Sequence, residues 1–162
     1  MLHDAVNNLR YEGKVQLTKN LKILERVTKF LTDDLIPHIH LDEKVIFPYL
    51  EKHVPKLNPM LGFLRGEHCE FKESFKAFEK LFSQFKNKKT DSHRRVLIEK
   101  LRDKGTYLFC LLRNHIQAEN ESVYRVMDEQ LHKDEKQELL KLYATAERAT
   151  EPARQVHLGC FA

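Results

Sequence analysis

Apolar residues recur every three or four positions along most of this chain, which is the period of one buried face of an α-helix. Three long stripes of this kind occupy residues 21–49, 61–85 and 97–126. The helices predicted from these stripes and from their caps cover residues 1–12, 17–52, 59–86, 92–131 and 134–149. Because long helices joined by short loops pack side by side, we predict an all-α fold, an up-down-up-down four-helix bundle with a short additional C-terminal helix.

Composition and charge are those expected of one soluble domain. The chain has 162 residues; residues 1–150 are predicted to form the domain, and residues 151–162 a tail without a periodic pattern. No apolar run is long enough to span a membrane, and the first residues lack a signal-peptide pattern. The 28 basic and 24 acidic residues are scattered, which argues against a nucleic-acid partner. Three cysteines without CxxC spacing argue against a disulfide framework, so we expect a cytoplasmic protein.

Each apolar stripe carries polar side chains at positions that should face the core. The first stripe contains His38 and Asp42, the second His68, and the third His115 and Glu119. Residues four apart on a helix lie one above the other, so each histidine and acid pair can offer nitrogen and oxygen to one small volume. A buried ionised carboxylate is costly unless it is paired or bound to a metal. The pattern therefore indicates a metal site.

An internal repeat supports this interpretation. The segments HIHLDEKVIF and HIQAENESVY, which begin at His38 and His115, share a histidine, an acid four residues later and an aromatic residue nine residues later. Each is preceded by a helix with one inward histidine, His3 in the first half and His68 in the second. A lone inward histidine is more often a hydrogen-bonded core residue than a ligand. The matching register of the two halves favours ligands here.

The predicted metal ligands are His3, His38, Asp42, His68, His115 and Glu119. Histidine nitrogens with carboxylate oxygens suit iron, manganese or zinc, and the absence of thiolates argues against a structural zinc site. The six side chains exceed the needs of one tetrahedral ion but suit two ions bridged by the acids. We therefore predict two non-haem iron ions, with iron–manganese or iron–zinc pairs as alternatives. His40 is expected to face solvent, and Glu43 to accept a hydrogen bond outside the ligand set.

The same segments resemble the hemerythrin-like domains, which carry His-His-Glu cation-binding motifs. HIHLDEKVIFP is similar to that family's His-x-x-x-Glu-Glu followed by Phe-Pro, EHCEF to its third-helix histidine, and HIQAENESVY to its fourth-helix His-x-x-x-Glu. The resemblance spans roughly residues 1–131 and implies a four-helix bundle around a non-haem di-iron centre. Asp42 stands where the motif usually has glutamate, which is one methylene longer, and Pro37 directly precedes His38.

This resemblance implies a small ligand, because irons with fewer than six protein ligands leave an open position. Activities implied for the family are dioxygen binding, sensing of oxygen or iron, handling of nitric oxide or peroxide, and iron–sulfur repair. Neither an output domain nor a cysteine-bearing N-terminal domain is expected within 162 residues. We therefore expect a di-iron protein that binds dioxygen, nitric oxide or peroxide for storage, protection, or sensing through a protein partner.

Two alternatives stay open at this point. A di-iron enzyme with peroxidase, oxidase or nitric oxide reductase activity would use the same ligands, and the pattern assigns no separate catalytic residue. A metal-free helical interaction module would keep the inward histidines as hydrogen-bonded core residues. The oligomeric state is not predicted.

Overall fold

A computed structural model describes residues 14–87 and 91–158, and within these ranges the backbone is helical apart from short turns. No strand occurs in either range, so the predicted all-α fold is confirmed. In chain order the α-helices are α1 (Lys14–Phe30), α2 (Ile36–Leu41), α3 (Phe47–His53), α4 (Asn58–Asn87), α5 (Asp91–Ala118), α6 (Arg125–Gln130) and α7 (Lys133–Leu158). Three π-helical turns lie at Leu31–Leu35, Asp42–Ile46 and Glu119–Tyr124, and one 3₁₀ turn lies at Pro55–Leu57.

The observed helices fall into four long segments that follow the predicted boundaries closely. The first three, at residues 14–53, 58–87 and 91–130, begin and end within three residues of the prediction. The C-terminal helix α7 has 26 residues and continues to Leu158, past the predicted end at residue 149. The predicted helix over residues 1–12, which carries His3, lies outside the described residues. The tail over residues 151–162 stays a prediction.

None of the described helices combines the length and the apolar composition that a membrane-spanning helix requires.

Two of the π turns precede prolines inside the first long segment. Pro37 follows the turn Leu31–Leu35 by two residues, and Pro48 follows the turn Asp42–Ile46 by two residues. Proline lacks an N–H donor, and its ring collides with the carbonyl four residues earlier in a regular α-helix. A π turn, with its i to i+5 bonding, ends two residues before each of these prolines. The backbone just before Pro37 is therefore a π turn rather than regular α-helix.

Burial along the helices shows where the α-helical period holds. Every member of the second stripe is buried: Leu61, Leu64, His68, Phe71, Phe75, Phe78, Phe82 and Phe85. In the first segment, by contrast, Leu35 and Val45 are only partly buried, whereas Ile39 and Ile46 are buried. Each π turn inserts one extra residue into the helix, so the face that follows it is rotated away from the position expected from a period of 3.6.

The chain divides into two compact units, each described by itself. The first contains the described residues of Met1–Leu31 and Glu67–Ile116, and its buried side chains are dominated by the phenylalanine stripe of α4. Phe78 and Phe82 stack with ring centroids 6.2 Å apart, and the guanidinium of Arg94 lies 5.1 Å from the Phe85 ring centroid. The part of α4 that follows Gly66 therefore forms the apolar centre of this unit.

The second unit contains the described residues of Thr32–Gly66 and Gln117–Ala162. Its hydrophobic core consists of Ile46, Phe47, Tyr49, Leu50, Val54, Leu57, Leu61, Leu64, Val123, Leu131 and Leu139. At the edge of this core, polar contacts join the end of α3 to the start of α7. The Tyr49 hydroxyl donates to the Glu135 carbonyl and to Glu138 Oε2, both at 3.0 Å. The rings of Tyr49 and His53 stack with centroids 4.1 Å apart.

Glu135 is central to this junction because its carboxylate makes two contacts. Oε2 accepts from the backbone N–H of His132 at 2.8 Å, as in a capping box, and Oε1 lies 3.0 Å from His53 Nδ1. The backbone hydrogen bond from His132 is the main cause that lowers the pKa of Glu135 below its usual value, and the bond to His53 adds to it. The ionised form is therefore favoured in the folded protein.

Replacing Glu135 with glutamine should lower the free energy of unfolding of the metal-free protein at neutral pH, and this loss should shrink in acid. A carboxyl whose folded pKa is lowered contributes stability above its unfolded pKa and loses it as pH falls through the folded pKa. Urea titrations at a series of pH values down to about 3 would show this convergence of wild type and variant. The exposed Glu129→Gln substitution is the control. A loss that is independent of pH would contradict the assigned charge effect.

Candidate metal centre

Two histidines from different helices approach each other in the interior. His68 on α4 and His115 on α5 are both buried, and their Nε2 atoms are 2.9 Å apart. The ring centroids are separated by 4.6 Å and the ring planes are inclined at 52°. On its other edge, His115 Nδ1 lies 2.9 Å from Oε2 of Glu67. Both Nε2 atoms thus point into one small volume.

Glu119 completes a group of three with these histidines. It is buried and follows His115 by four residues along the same helical segment, at the first position of the π turn Glu119–Tyr124. One ligand atom from each of His68, His115 and Glu119 lies within 4.8 Å of the others. In the described part of the chain, this is the one group of three or more histidines, cysteines or acids arranged in this way.

In the first half of the internal repeat, His38 and Asp42 correspond to His115 and Glu119. Asp42 Oδ2 lies 3.2 Å from His38 Nε2; the Asp42 side chain is 1% exposed, whereas that of His38 is 40% exposed. The carboxylate therefore lies in the core while the imidazole reaches water. Asp42 is buried, as its position on the stripe predicted. The side chain of His38 was also predicted to face the core, but it is partly exposed to water.

Both buried acids begin a π turn, which extends the sequence repeat into the backbone. Asp42 is the first residue of Asp42–Ile46, and Glu119 is the first residue of Glu119–Tyr124. Single π turns inside α-helices occur often at functional sites. The sequence showed the repeated histidine and acid, but it gave no sign of the shared backbone irregularity.

Tyr124 links the two acids electrostatically. Burial is the main cause that raises the pKa of the Tyr124 hydroxyl, and the charges of Glu119 and Asp42 raise it further. The hydroxyl therefore stays protonated at neutral pH and can donate a hydrogen bond. Tyr107, the other tyrosine close to the third stripe, is exposed and its hydroxyl donates to Glu70 instead.

The other residues that the sequence suggested near the metal site do not belong to the buried group of three. His3 lies outside the described residues. His40 is exposed, as expected, and Glu43 is partly buried. Cys69 and Cys110 are free and exposed, so neither thiol is part of the buried group. The residue that the sequence missed is Glu67, whose only signal was its position directly before His68.

The donor set fits a transition-metal ion. Two imidazole nitrogens and a carboxylate oxygen converge in a buried volume, and these are the ligands that iron, manganese and zinc accept. A buried carboxylate is costly without a compensating charge, which a bound cation would supply. The residues present are therefore compatible with metal binding.

Comparisons with known proteins point to the same chemistry. A family model described as the hemerythrin HHE cation binding domain matches residues 1–126 of this chain. Neither the curated proteins nor the solved structures contain a match.

Proposed function

We propose that this chain, which belongs to the hemerythrin HHE cation-binding domain family, is a non-haem di-iron protein that binds dioxygen or a related small ligand. Family membership implies a cation. The observation that carries the proposal further is the buried group of His68, His115 and Glu119, whose ligand atoms lie within 4.8 Å of one another. Nitric oxide and peroxide belong to the same class of small ligand.

The proposed ligands are His3, His38, Asp42, His68, His115 and Glu119. Asp42 and Glu119 are both buried, and both lie close enough to Tyr124 to raise its pKa, which supports a shared role for the two acids. Bound iron would supply an open coordination position and reversible redox chemistry for the small ligand. Iron–manganese and iron–zinc pairs remain alternatives because the same donors accept them.

The protein side chains would control how the small ligand reaches the metal ions and how much charge surrounds those ions. Asp42 and Glu119 place negative charge in the core, where it attracts and holds cations strongly because little water screens it. The protonated Tyr124 hydroxyl supplies a hydrogen-bond donor beside these acids. The partly exposed His38 ring marks an edge where a small molecule can approach from water. Because most of the proposed ligand side chains in the described residues are buried, a small ligand suits these surroundings.

Protein purified from iron-supplied cells should contain about two irons per chain, as expected for a carboxylate-bridged bundle site. His68→Ala should remove most of this iron, because it deletes one of three convergent donors. His40→Ala is the matched control, since His40 is an exposed histidine of the same protein. Metal analysis by mass spectrometry would measure both. Unchanged iron in His68→Ala would contradict the proposed site.

Absorption spectra then separate ligand binding from the alternatives. A binding protein should show near-ultraviolet and visible bands that change on aeration and reverse when oxygen is removed. Sustained turnover of peroxide or nitric oxide would instead favour the di-iron enzyme, and protein without iron would favour the metal-free interaction module.

A further inference from the structure

Glu67 makes a contact whose role lies outside the predicted ligand set. It directly precedes His68 on α4, yet its carboxylate extends to α5, where Oε2 lies 2.9 Å from His115 Nδ1. The Glu67 side chain is 14% exposed and the His115 side chain 9% exposed. By comparison, the surface pair of Glu25 and Lys86 is 50% and 47% exposed. The Glu67 contact is therefore shielded from water, which makes it stronger than a typical surface pair.

We propose that Glu67 is a positioning residue that sets the tautomer and orientation of His115, so that its Nε2 is the atom that binds the metal ion. The proposal rests on the metal-binding function proposed above. A neutral imidazole carries its proton on one nitrogen, and the hydrogen bond made by that nitrogen selects the tautomer. With Glu67 accepting from the Nδ1–H, the lone pair is left on Nε2.

The geometry around His115 fits this assignment. Nδ1 and Nε2 lie on different edges of the ring, and Nε2 is the atom that lies 2.9 Å from Nε2 of His68. Glu67 therefore contacts the edge that faces away from the convergent donors. This arrangement argues against Glu67 as a direct ligand. A carboxylate in this place also raises the electron density of the ring and strengthens its bond to a cation.

The two histidines should consequently respond differently to metal. In the metal-free protein, the Nδ1–H tautomer of His115 makes its Nε2 an acceptor, so the Nε2–H of His68 donates across the 2.9 Å contact. A bound ion requires a lone pair from each Nε2. The proton of His68 must then move from Nε2 to Nδ1, by exchange with water, whereas His115 keeps the tautomer that it already has.

The test combines histidine tautomers with metal affinity. Nitrogen-15 spectra of the metal-free protein should show His115 protonated on Nδ1 and bare on Nε2. In Glu67→Met, which removes the acceptor, this preference should be lost. Zinc affinity, measured by competition with a chromophoric chelator, should fall roughly 10- to 100-fold. Glu67→Gln keeps an acceptor, so it should retain the tautomer and lose less affinity. The control is Glu70→Gln on the same helix, whose wild-type carboxylate accepts from Tyr107.

Two results would overturn the proposal: His115 protonated on Nε2 in the wild type, or an unchanged tautomer and zinc affinity in Glu67→Met. Circular dichroism would verify that each metal-free variant folds, and Glu67→Gln, which is matched in size, tests the charge effect even if methionine is not tolerated. His115→Ala separates this proposal from the proposed function. If that variant binds zinc as the wild type does, the metal site is wrong, while the tautomer spectra still test the Glu67 contact.

Discussion

Asp42→Asn should have opposite effects on the two forms of the protein. Without metal, the variant should be more stable than the wild type by about 1–3 kcal/mol, because a buried charge is removed. With iron, it should bind the metal more weakly by a factor larger than the roughly 10- to 100-fold associated with an outer hydrogen bond. The opposite signs are expected because a carboxylate that is costly in an empty core is favourable beside a cation.

The surroundings of Asp42 explain why its removal should be tolerated. Its side chain is 1% exposed, whereas the His38 side chain that it contacts is 40% exposed. Loss of the carboxylate would therefore leave behind an imidazole that water can solvate, not a buried charge without a partner. Asparagine has nearly the same shape, so packing around the π turn should be preserved.

Urea titrations of metal-free protein and iron-loading measurements would test both parts of this prediction. Asp34→Asn is a matched control, since Asp34 is exposed and belongs to the same long helical segment. Asp42→Glu restores the carboxylate with the length usual in the family motif and should bind iron at least as well as the wild type. If Asp42→Asn is less stable than the wild type without metal, and yet binds iron as the wild type does when loaded, Asp42 is a structural acceptor instead of a ligand.

Phe78→Ala should produce the largest loss of stability, about 3–5 kcal/mol. The Phe78 side chain is 1% exposed and stacks on Phe82 in the apolar centre of the first unit. Truncation removes a large apolar surface from the core and leaves a cavity, because helices packed around it relax only partly. Phe78→Leu, which fills more of the space, should cost less.

Phe63→Ala provides the matched control on the same helix. Phe63 is 56% exposed, so its truncation should change the unfolding free energy by about 0.5 kcal/mol or less. Urea midpoints and slopes of the metal-free variants would give the comparison. Similar losses at positions 63 and 78 would contradict the burial pattern of α4 on which the fold assignment depends.

The sequence alone predicted burial correctly along the regular helix α4. All eight residues of the stripe from Leu61 to Phe85 are buried, because a continuous α-helix repeats its faces every 3.6 residues. The same period identified Asp42, His115 and Glu119 as inward residues, and all three are buried. The fold class and the composition of the buried donor group therefore follow from local periodicity.

The first long segment shows where this local reasoning fails. Its two π turns change the number of residues per turn. Leu35, His38 and Val45, which the α-helical period placed on the buried face, are therefore only partly buried. Nothing in the pattern of apolar residues marks where an extra residue enters a helix.

Contacts between helices form the part that only the tertiary structure decided. The 2.9 Å approach of His68 and His115, and the contact of Glu67 with His115, join residues 47 and 48 positions apart in the chain. Such distances depend on how α4 and α5 pack, and periodicity determines only which face each helix buries. The sequence by itself thus determined an all-α protein with buried histidines and acids. The packing of the helices decided that the Nε2 atoms of His68 and His115 face each other. It also decided that Glu67 contacts His115 from outside the group of donor atoms.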